Sequence, residues 1–214
     1  LHINEKRSKN AVPQSDVVLA GQGMIQETIS DLAVDVSPGS FLQVNTSQAE
    51  RLYAVALRFA QLTGIEKVLD LYCGIGTLSL LHARQAGQVT GVEVADGAVA
   101  DARRNAERNA VDNCEFLCGD VLTVMPDLIA RGEQVDVVTV NPPRAGIFRS
   151  VVKRICEVKP KRIVYISCNP QTLARDLLRF EKGGYKPVAV QPVDLFPHTP
   201  HIEVVAKLEA TFCE

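Results

Sequence analysis

The stretch Val68-Leu-Asp-Leu-Tyr-Cys-Gly-Ile-Gly-Thr-Leu-Ser-Leu80 decides how this chain is predicted to fold. Its apolar first half indicates a buried strand over 68–72, and its last residues indicate a helix that begins at Thr77. Because Gly74 and Gly76 lack a Cβ, the backbone between strand and helix can turn sharply and approach a ligand closely. The amides at the start of the helix would then face that ligand.

An acidic residue follows this turn at an informative distance. The next predicted strand, 88–93, ends at Glu93, 19 positions after Gly74. A carboxylate placed there can accept hydrogen bonds from the hydroxyl groups of a ribose. A G-x-G pair alone fits an ordinary connecting turn, but the strand, the helix and the acid together favour a ligand of the nucleoside type.

Composition restricts the classes of protein to which the chain can belong. Of its 214 residues, 46% are hydrophobic and 22% charged, which is typical of a soluble globular domain. The formal net charge of −2 gives no overall sign of a nucleic-acid partner, so RNA would have to meet a local basic patch. There is no apolar run of membrane-spanning length and no signal peptide. Since the chain starts at Leu1 in polar sequence, we expect it to be cut from a longer protein.

The six cysteines are scattered along the chain and form no C-x-x-C pair, and no histidine cluster accompanies them. The sequence therefore indicates neither a metal site nor a disulfide framework. We expect reduced cysteines in a cytoplasmic protein. Nothing in the sequence determines the oligomeric state, and a monomer is our expectation. The positions are Cys73, Cys114, Cys118, Cys156, Cys168 and Cys213.

Strand and helix signals alternate after Gly64, which predicts a doubly wound, mostly parallel α/β sheet. Residues 1–40 are predicted to be a β-rich lead-in, the remnant of a preceding domain, with β-prone pieces at 16–20 and 32–36. The domain proper would span 41–214. Its first helix is predicted to be capped by Thr46 or Ser47 and to end near Thr63. Strands are predicted at 68–72, 88–93, 114–118, 135–140, 162–167, 187–194 and 202–208. Further helices are predicted from Thr77 and at 96–110, 121–131, 148–158 and 171–182.

Polar or reactive residues stand at the ends of five successive predicted strands: Tyr72, Glu93, Asp120, Asn141 and Cys168. In a doubly wound sheet these ends share the edge at which ligands bind. Individually, Asp120 fits a helix cap, Asn141 a turn and Cys168 a small core residue. Jointly they favour a ligand site. Because a helix begins just after Cys168, its amides are expected to lower the pKa of the thiol.

Five motifs resemble, in order, those of the S-adenosylmethionine-dependent RNA uridine-5-methyltransferases, which make 5-methyluridine in transfer and ribosomal RNA. They are 40–45 (SFLQVN), 70–77 (DLYCGIGT), 141–146 (NPPRAG), 167–170 (SCNP) and 194–203 (DLFPHTPHIE). The resemblance covers about residues 37 to 208. It implies a Rossmann-like class I methyltransferase domain whose last strand is antiparallel, with S-adenosyl-L-methionine as cofactor and RNA as partner. Ribosomal RNA is favoured over transfer RNA.

The resemblance also implies the catalytic residues. Uracil C5 is a poor nucleophile, and a thiolate at Cys168 that adds to C6 would push electron density to C5. The family's base matches Glu203, which would remove the C5 proton before the thiol leaves. A solvated acid at the start of a strand is the alternative for Glu203. His198 and His201 would donate to the uracil, support Glu203 or have no role.

Cofactor contacts are implied by the same carry-over. Glu93 suits the ribose hydroxyls, Asp120 the adenine amino group and Tyr72 the methionine part. Gln43 lies before the α/β core, which would make its segment a lid over the cofactor. Arg144 is assigned to an RNA phosphate or to the target base. The complete predicted cofactor set is Gln43, Tyr72, Gly74, Gly76, Thr77, Glu93, Asp120 and Asn141.

The chain departs from the family at two points. The family usually has Asp where this chain has Asn141, and an amide keeps an acceptor oxygen but loses the charge. An alternative function is therefore a cofactor- or RNA-binding module with impaired catalysis. An amino-nitrogen methyltransferase or a dinucleotide oxidoreductase would leave Cys168 and Glu203 without a task. The family's N-terminal RNA-binding barrel and, in some members, an iron–sulfur cluster are not seen, so we expect RNA affinity and target choice to be reduced.

Overall fold

A sheet of seven strands runs through the chain and carries helices on both faces in the computed structural model, which describes residues 18–212. The strands are β1 Ile25–Ile29, β2 Leu32–Val36, β3 Lys67–Leu71, β4 Gln88–Glu93, β5 Cys114–Cys118, β6 Val137–Val140, β7 Arg162–Ser167, β8 Tyr185–Val193 and β9 Glu203–Ala210. The helices are α1 Thr46–Ala60, α2 Thr77–Ala83, α3 Asp96–Arg108, α4 Val121–Ala130, α5 Arg149–Val158 and α6 Pro170–Glu181. The seven-stranded sheet has the order β5-β4-β3-β6-β7-β9-β8, and β1 and β2 form a separate hairpin.

The central strands are parallel, as the alternation of strands and helices predicts. β3 pairs with β4 and β6, and β5 and β7 extend the sheet on either side. Alternate side chains of β3 enter two different core layers: Val68 packs under α1, α2 and α3, while Leu69 and Leu71 pack under α4, α5 and α6. The doubly wound α/β prediction is confirmed.

The last strand, β9, is antiparallel and lies between β7 and β8. Its register against β7 pairs Ile163 with Leu208 and ends with Ser167 opposite Val204. The prediction of an antiparallel last strand is confirmed. The insertion brings residues from the end of the chain to the edge where the parallel strands finish.

The β1–β2 hairpin covers part of the first core layer. Its buried residues pack with those of α1 and α3, and two asparagines, one in α3 and one that follows it, bond the outer edge of β2. Asn105 Oδ1 accepts from the amide of Asp35 at 2.7 Å, and Asn109 Oδ1 accepts from that of Ala33 at 3.0 Å. These side chains satisfy backbone groups that an edge strand would leave unpaired. The domain boundary at residue 40 stays a prediction.

Several boundaries differ from the sequence-based ones. β2 agrees with the piece at 32–36, whereas residues 18–20 form no strand and residues 16 and 17 lie outside the described part. β1 was not predicted, because its turn at Ser30 and Asp31 uses two positive φ angles, 47° and 65°, without a glycine. Asn45 caps α1 in place of Thr46 or Ser47 and accepts from the amide of Gln48 at 3.3 Å.

No helix within residues 18–212 is both long and apolar enough to cross a bilayer. Over the same range, no group of three or more His, Cys, Asp or Glu side chains is arranged to hold a metal ion.

Candidate active site

The turn after β3 is held in an unusual conformation. Tyr72 has φ +62°, a left-handed value that is rare for a bulky side chain. The amides of Tyr72 and Cys73 both donate to the carbonyl oxygen of Val92, at 2.9 and 3.2 Å. The neighbouring strand β4 therefore fixes the turn, as is common where strained backbone serves a binding site.

The two glycines of this turn have different roles. A Cβ on Gly76, at φ +81°, would lie 2.7 Å from Cζ of Phe116, so this position is closed by packing. A Cβ on Gly74, at φ +56°, would meet nothing within 4 Å. Gly74 thus borders open space at the start of α2, where a ligand can approach the backbone.

Glu93 is bonded directly to that turn. Its Oε2 accepts from the amide of Gly74 at 3.1 Å, and its Oε1 accepts from the amides of Val94 and Ala95 at 2.8 and 2.9 Å. A carboxylate has about four lone-pair positions, so one stays available after these three bonds. The carboxylate is therefore held rigidly beside Gly74 with capacity for a further donor.

Beneath the turn lies a buried polar layer. Asp70, 1% exposed, accepts from Ser79 Oγ at 2.6 Å through Oδ2, while its Oδ1 and the hydroxyl of Thr77 have no partner within residues 18–212. Burial raises the pKa of the Asp70 carboxyl to about 7, the bond from Ser79 opposes this, and the charge of Glu93 adds to it. Unpartnered buried polar atoms next to the glycine turn are expected where a polar ligand completes the site.

A buried histidine continues this layer. His82 Nε2 lies 3.0 Å from Thr139 Oγ1, and burial lowers the pKa of the imidazole to about 4. His82 and Asp70 were both missed at the sequence level. The available signals were an acid inside an apolar strand and a histidine inside an apolar helix, both of which require a buried partner.

Tyr72, Glu93 and Asp120 share one electrostatic environment. Burial raises the pKa of the Tyr72 hydroxyl to about 12, and the charges of Asp120, Asp176 and Glu93 contribute in that order. Asp120 also caps α4, because its Oδ1 accepts from the amide of Leu122 at 2.7 Å. Its capping role and its predicted site role are compatible, since the cap is made by one oxygen.

The structure brings Cys168 and Glu203 together through strand register. Ser167 of β7 lies opposite Val204 of β9 in an antiparallel pair. The next pair of residues in this register is Cys168 and Glu203. Side chains two positions apart point to the same face of a strand. Cys168 therefore shares its face with Ile166, and Glu203 shares its face with Val205. Ile166 and Val205 both belong to the core layer under α1, α2 and α3. The thiol and the carboxyl therefore belong to the same face of the sheet.

The electrostatic environment of Cys168 includes Glu203 and corrects one expectation. Burial raises the pKa of the Cys168 thiol and the charge of Glu203 raises it further, against smaller opposing effects of a backbone hydrogen bond and of Arg144. The expected lowering by the following helix is wrong in its net direction, because burial and the neighbouring carboxylate outweigh the helix amides. Burial likewise raises the pKa of Glu203, whose side-chain carboxylate accepts no hydrogen bond from residues 18–212.

Arg144 is placed by the loop that joins β6 to α5. Its carbonyl oxygen accepts from Asn169 Nδ2 at 3.3 Å and from Thr172 Oγ1 at 3.4 Å, so the start of α6 holds this loop beside Cys168. Its guanidinium Nη2 lies 3.4 Å from His201 Nδ1. Arg144 and His201 are thus neighbours at the exposed rim.

A buried carboxylate fixes the rest of the same loop. Asp176 of α6 accepts from the amide of Ile147 at 3.0 Å and from Tyr165 Oη at 2.9 Å. Arg175 and Arg179 also donate to it, at 3.0 and 2.8 Å. Satisfied on all sides, this charge locks the loop against β7 and α6. Sequence reasoning missed Asp176, because an acid in an amphipathic helix ordinarily faces solvent.

Residues 37–45 cross from α3 to the loop before β9. At one end the Asp101 carboxylate accepts from the hydroxyls of Ser37 and Ser40, both at 2.7 Å. At the other end Asn45 Nδ2 donates to the carbonyl oxygen of Leu195 at 3.1 Å. Gln43 lies between these anchors and is 6% exposed. Both ends of the predicted lid are therefore fixed, and its closing role stays a prediction.

Of the predicted residues, Tyr72, Gly74, Glu93 and Asp120 lie around one turn. Asn141 joins them through its amide, which donates to the carbonyl oxygen of Leu71 at 3.3 Å. Cys168, Glu203 and Arg144 form a second group at the same edge of the sheet. His198 is exposed, with φ +65°, and contacts none of these groups through a hydrogen bond.

The chain is similar to known RNA methyltransferases. The sequence model of the tRNA (uracil-5-)-methyltransferase family matches residues 22–211. An uncharacterized RNA methyltransferase of Halalkalibacterium halodurans is 50% identical over 208 residues, which are 97% of this chain and 45% of the relative. The chain spans about half the length of the curated relatives it matches.

Solved structures agree on the fold. The tRNA (uracil-54, C5)-methyltransferase of Pyrococcus abyssi, solved with S-adenosyl-L-homocysteine, is 38% identical with a TM-score of 0.80. The match covers 94% of this chain and 48% of that protein. Precorrin-6y C5,15-methyltransferase of Geobacter metallireducens, 15% identical with a TM-score of 0.65, covers 75% of this chain and 88% of its own and shows the fold alone. The fold is thus that of Rossmann-like methyltransferases.

Proposed function

Because this chain belongs to the tRNA (uracil-5-)-methyltransferase family, we propose that it transfers a methyl group from S-adenosyl-L-methionine to C5 of a uridine in RNA. The observation that carries this proposal is the register that makes Cys168 and Glu203 neighbours on one face of the sheet. A nucleophile and a base on the same face can act on one pyrimidine ring.

Cys168 acts first. Its sulfur forms a bond to uracil C6, and the electron pair of the C5–C6 double bond moves to C5 and the adjoining carbonyl. C5 then carries enough electron density to accept a methyl group. Because the pKa of the resting thiol is raised, the thiol must lose its proton before or during addition. Arg144, whose charge opposes that rise, would stabilise the thiolate.

Glu203 completes the reaction. After methylation C5 still bears its proton, and the Glu203 carboxylate removes it. The released electron pair restores the C5–C6 double bond, the C6–sulfur bond breaks, and Cys168 leaves as thiolate. Burial raises the pKa of Glu203, which makes it a stronger base than an exposed carboxylate.

The residues around the glycine turn fit an adenosine-containing cofactor. Gly74 borders open space, and Glu93 keeps one acceptor position for a ribose hydroxyl. Asp120 keeps one carboxylate oxygen for the adenine amino group. Thr77 and Asn141 supply further polar atoms at this edge. When bound, S-adenosyl-L-methionine would supply an electrophilic methyl group on a sulfonium.

The remaining assignments complete the site. Tyr72 would pack beside the methionine part, Gly76 keeps the turn tight, and Gln43 would cover the cofactor from the segment 37–45. Arg144 would bind an RNA phosphate or the target base. The target uridine has to leave its stack to reach Cys168.

Two variants test the covalent mechanism. Cys168→Ala should abolish both methyl transfer and any covalent RNA adduct. Glu203→Gln should slow turnover by about 10²–10⁴-fold and accumulate the adduct, because its proton-removing step is blocked. Radiolabelled methyl transfer and denaturing gels measure the two quantities. Adduct formation by Cys168→Ala, or normal turnover by Glu203→Gln, would contradict the mechanism.

Asn141 allows a second candidate, a binding module with impaired catalysis. An amide there lacks the charge that the family's usual Asp would bring. Asn141→Asp with the same transfer assay separates the two functions. Measurable transfer by the parent supports the enzyme, whereas an inactive parent and an active Asn141→Asp variant would establish the binding module.

The RNA class and the setting are part of the proposal. The similar Pyrococcus protein is a tRNA (uracil-54, C5)-methyltransferase, and our preference for ribosomal RNA stays a prediction. Mass spectrometry of 5-methyluridine in separated tRNA and rRNA, after deletion of the full-length gene, decides between them. The free thiols of Cys73, Cys114, Cys118, Cys156 and Cys168 support a cytoplasmic setting, and we propose a monomer.

A further inference from the structure

The outer surface between α5 and α6 forms a groove of about 750 Å³, on the sheet face opposite α1. Four of its lining residues are basic: Arg149, Lys153, Arg179 and Lys182. None of the described residues that line it is acidic. Cys156 and Gly183 also line the groove, so basic side chains surround a partly apolar surface.

Arg179 pairs with the buried Asp176 at 2.8 Å, whereas the other three basic side chains are unpaired or only weakly paired within residues 18–212. Arg149 and Lys182 form no ion pair with residues 18–212. Lys153 Nζ lies 3.8 Å from Glu157 Oε1, but that carboxylate is bound more closely by Arg154, at 2.7 Å. The whole chain carries a net charge of −2, so the positive charge of this groove is opposite in sign to the net charge of the molecule. Such a groove attracts a polyanion.

The groove begins beside the loop that carries Arg144. Arg149 begins α5 directly after the loop that carries Arg144, and Arg179 Nη1 donates to the Ile147 carbonyl oxygen in that loop at 3.0 Å. α6, the other wall, starts two residues after Cys168. α5 has ten residues, so the groove wall that it forms is about 15 Å long, starting beside the Arg144 loop.

An exposed aromatic side chain immediately precedes α5. Phe148, next to Arg149, is 74% exposed. Basic residues that follow a phosphate backbone, with an aromatic ring on which a base can stack, are the usual parts of a single-strand nucleic-acid surface. An acidic protein segment would use the charges but would have no need of the ring.

We propose that this groove binds the sugar–phosphate backbone of the substrate RNA and that Phe148 stacks on one of its bases. This inference rests on the proposed function, since it assumes that the substrate is RNA. It would supply the local basic patch that an otherwise slightly acidic chain requires.

The test is RNA binding by fluorescence anisotropy, with a labelled hairpin whose loop carries uridines and no S-adenosyl-L-methionine. The double variant Lys153→Ala/Lys182→Ala should weaken binding by about fivefold or more at ~100 mM salt. It should also make the plot of log K against log salt shallower by about 1.4–1.8, since about 0.7–0.9 is lost per phosphate contact.

A matched control removes two positive charges that do not line the groove. Lys67 begins β3 and Arg131 follows α4, so Lys67→Ala/Arg131→Ala lowers the net charge by the same amount and leaves the groove residues unchanged. We expect this pair to bind RNA within about twofold of the parent. Phe148→Ala should weaken binding without changing the salt slope, because stacking releases no counterions.

Parent-like affinity and slope in Lys153→Ala/Lys182→Ala would overturn the proposal, as would an equal loss in the control pair. Loss of polyglutamate binding with RNA binding intact would assign the groove to an acidic protein segment instead. Parent affinity in Phe148→Ala would also contradict RNA as the occupant. Retained binding of S-adenosyl-L-homocysteine shows that each variant is folded, and Lys153→Glu/Lys182→Glu should lose more affinity than the alanine pair.

The two proposals can fail separately. A parent that binds RNA through the groove but never methylates it would refute the proposed function and leave the groove assignment intact. A parent that methylates RNA while its groove variants bind normally would do the reverse.

Discussion

Replacing Asp70 by Asn tests the buried polar layer beneath the glycine turn. Asp70 is 1% exposed, accepts from Ser79 and has one carboxylate oxygen without a partner within residues 18–212. Burial raises the pKa of this carboxyl from 3.8 to about 7. Asparagine has nearly the same shape and cannot ionise, so it removes the titration while keeping an acceptor for Ser79.

The sign and size of the effect follow from linkage. The pKa is higher in the folded state, so the folded protein keeps the proton to higher pH than the unfolded chain does. The stabilisation is complete below about pH 4 and is lost as pH rises through about 7. Three pKa units at 1.36 kcal/mol each amount to about 4 kcal/mol, of which about 2–3 kcal/mol are lost between pH 5 and pH 8.

Urea unfolding followed by far-ultraviolet circular dichroism measures this loss, since the chain has no tryptophan. Between pH 5 and pH 8, the free energy of unfolding of the parent should fall by about 2–3 kcal/mol more than that of Asp70→Asn. Asp112→Asn, at an exposed position, should follow the parent. Parallel curves for the parent and Asp70→Asn would refute the reasoning, because all other titrating groups cancel in the comparison.

Two further predictions concern the thiol and the turn. Glu203→Gln should lower the pKa of Cys168, so iodoacetamide should alkylate the thiol at lower pH than in the parent. Peptide mass spectrometry measures the alkylated fraction, and an unchanged pH profile would contradict the coupling between the two side chains. Gly76→Ala should cost about 2–5 kcal/mol in urea unfolding, because its Cβ would lie 2.7 Å from Phe116 Cζ at positive φ. Gly74→Ala should cost about 1–2 kcal/mol, since only the backbone is strained there; equal losses would show that the Phe116 contact is unimportant.

The fold was predictable because its signals are local. Apolar runs such as 68–72 and 162–167 lie within single strands, and helix periodicity repeats over one element. The boundaries that differ depend on single capping residues: Asn45 replaces Thr46, and Gln61, at φ +49°, ends α1 before Thr63. β1 escaped notice because most of its side chains are exposed and its turn lacks glycine.

The site was predictable only in part. Strand ends placed Tyr72, Glu93 and Asp120 at one edge, as the structure has them, because the edge of a parallel sheet follows from chain order; their binding roles stay predictions. The meeting of Cys168 with Glu203 depends on the register of an antiparallel strand 35 residues away, which no local pattern encodes. Family resemblance alone paired them in the sequence. The Asp176 hub and the raised pKa of the thiol likewise arise from tertiary packing.

The position of β9 has a consequence for how an active molecule is made. On the ribosome the chain emerges from its amino end, so β3 to β7, with Cys168, are complete while β9 is still being synthesised. Glu203 can join the thiol only after the later strand has slid between β7 and β8. Under the proposed mechanism, a nascent chain stalled before that insertion would have the nucleophile Cys168 but would lack the base that releases the methylated product.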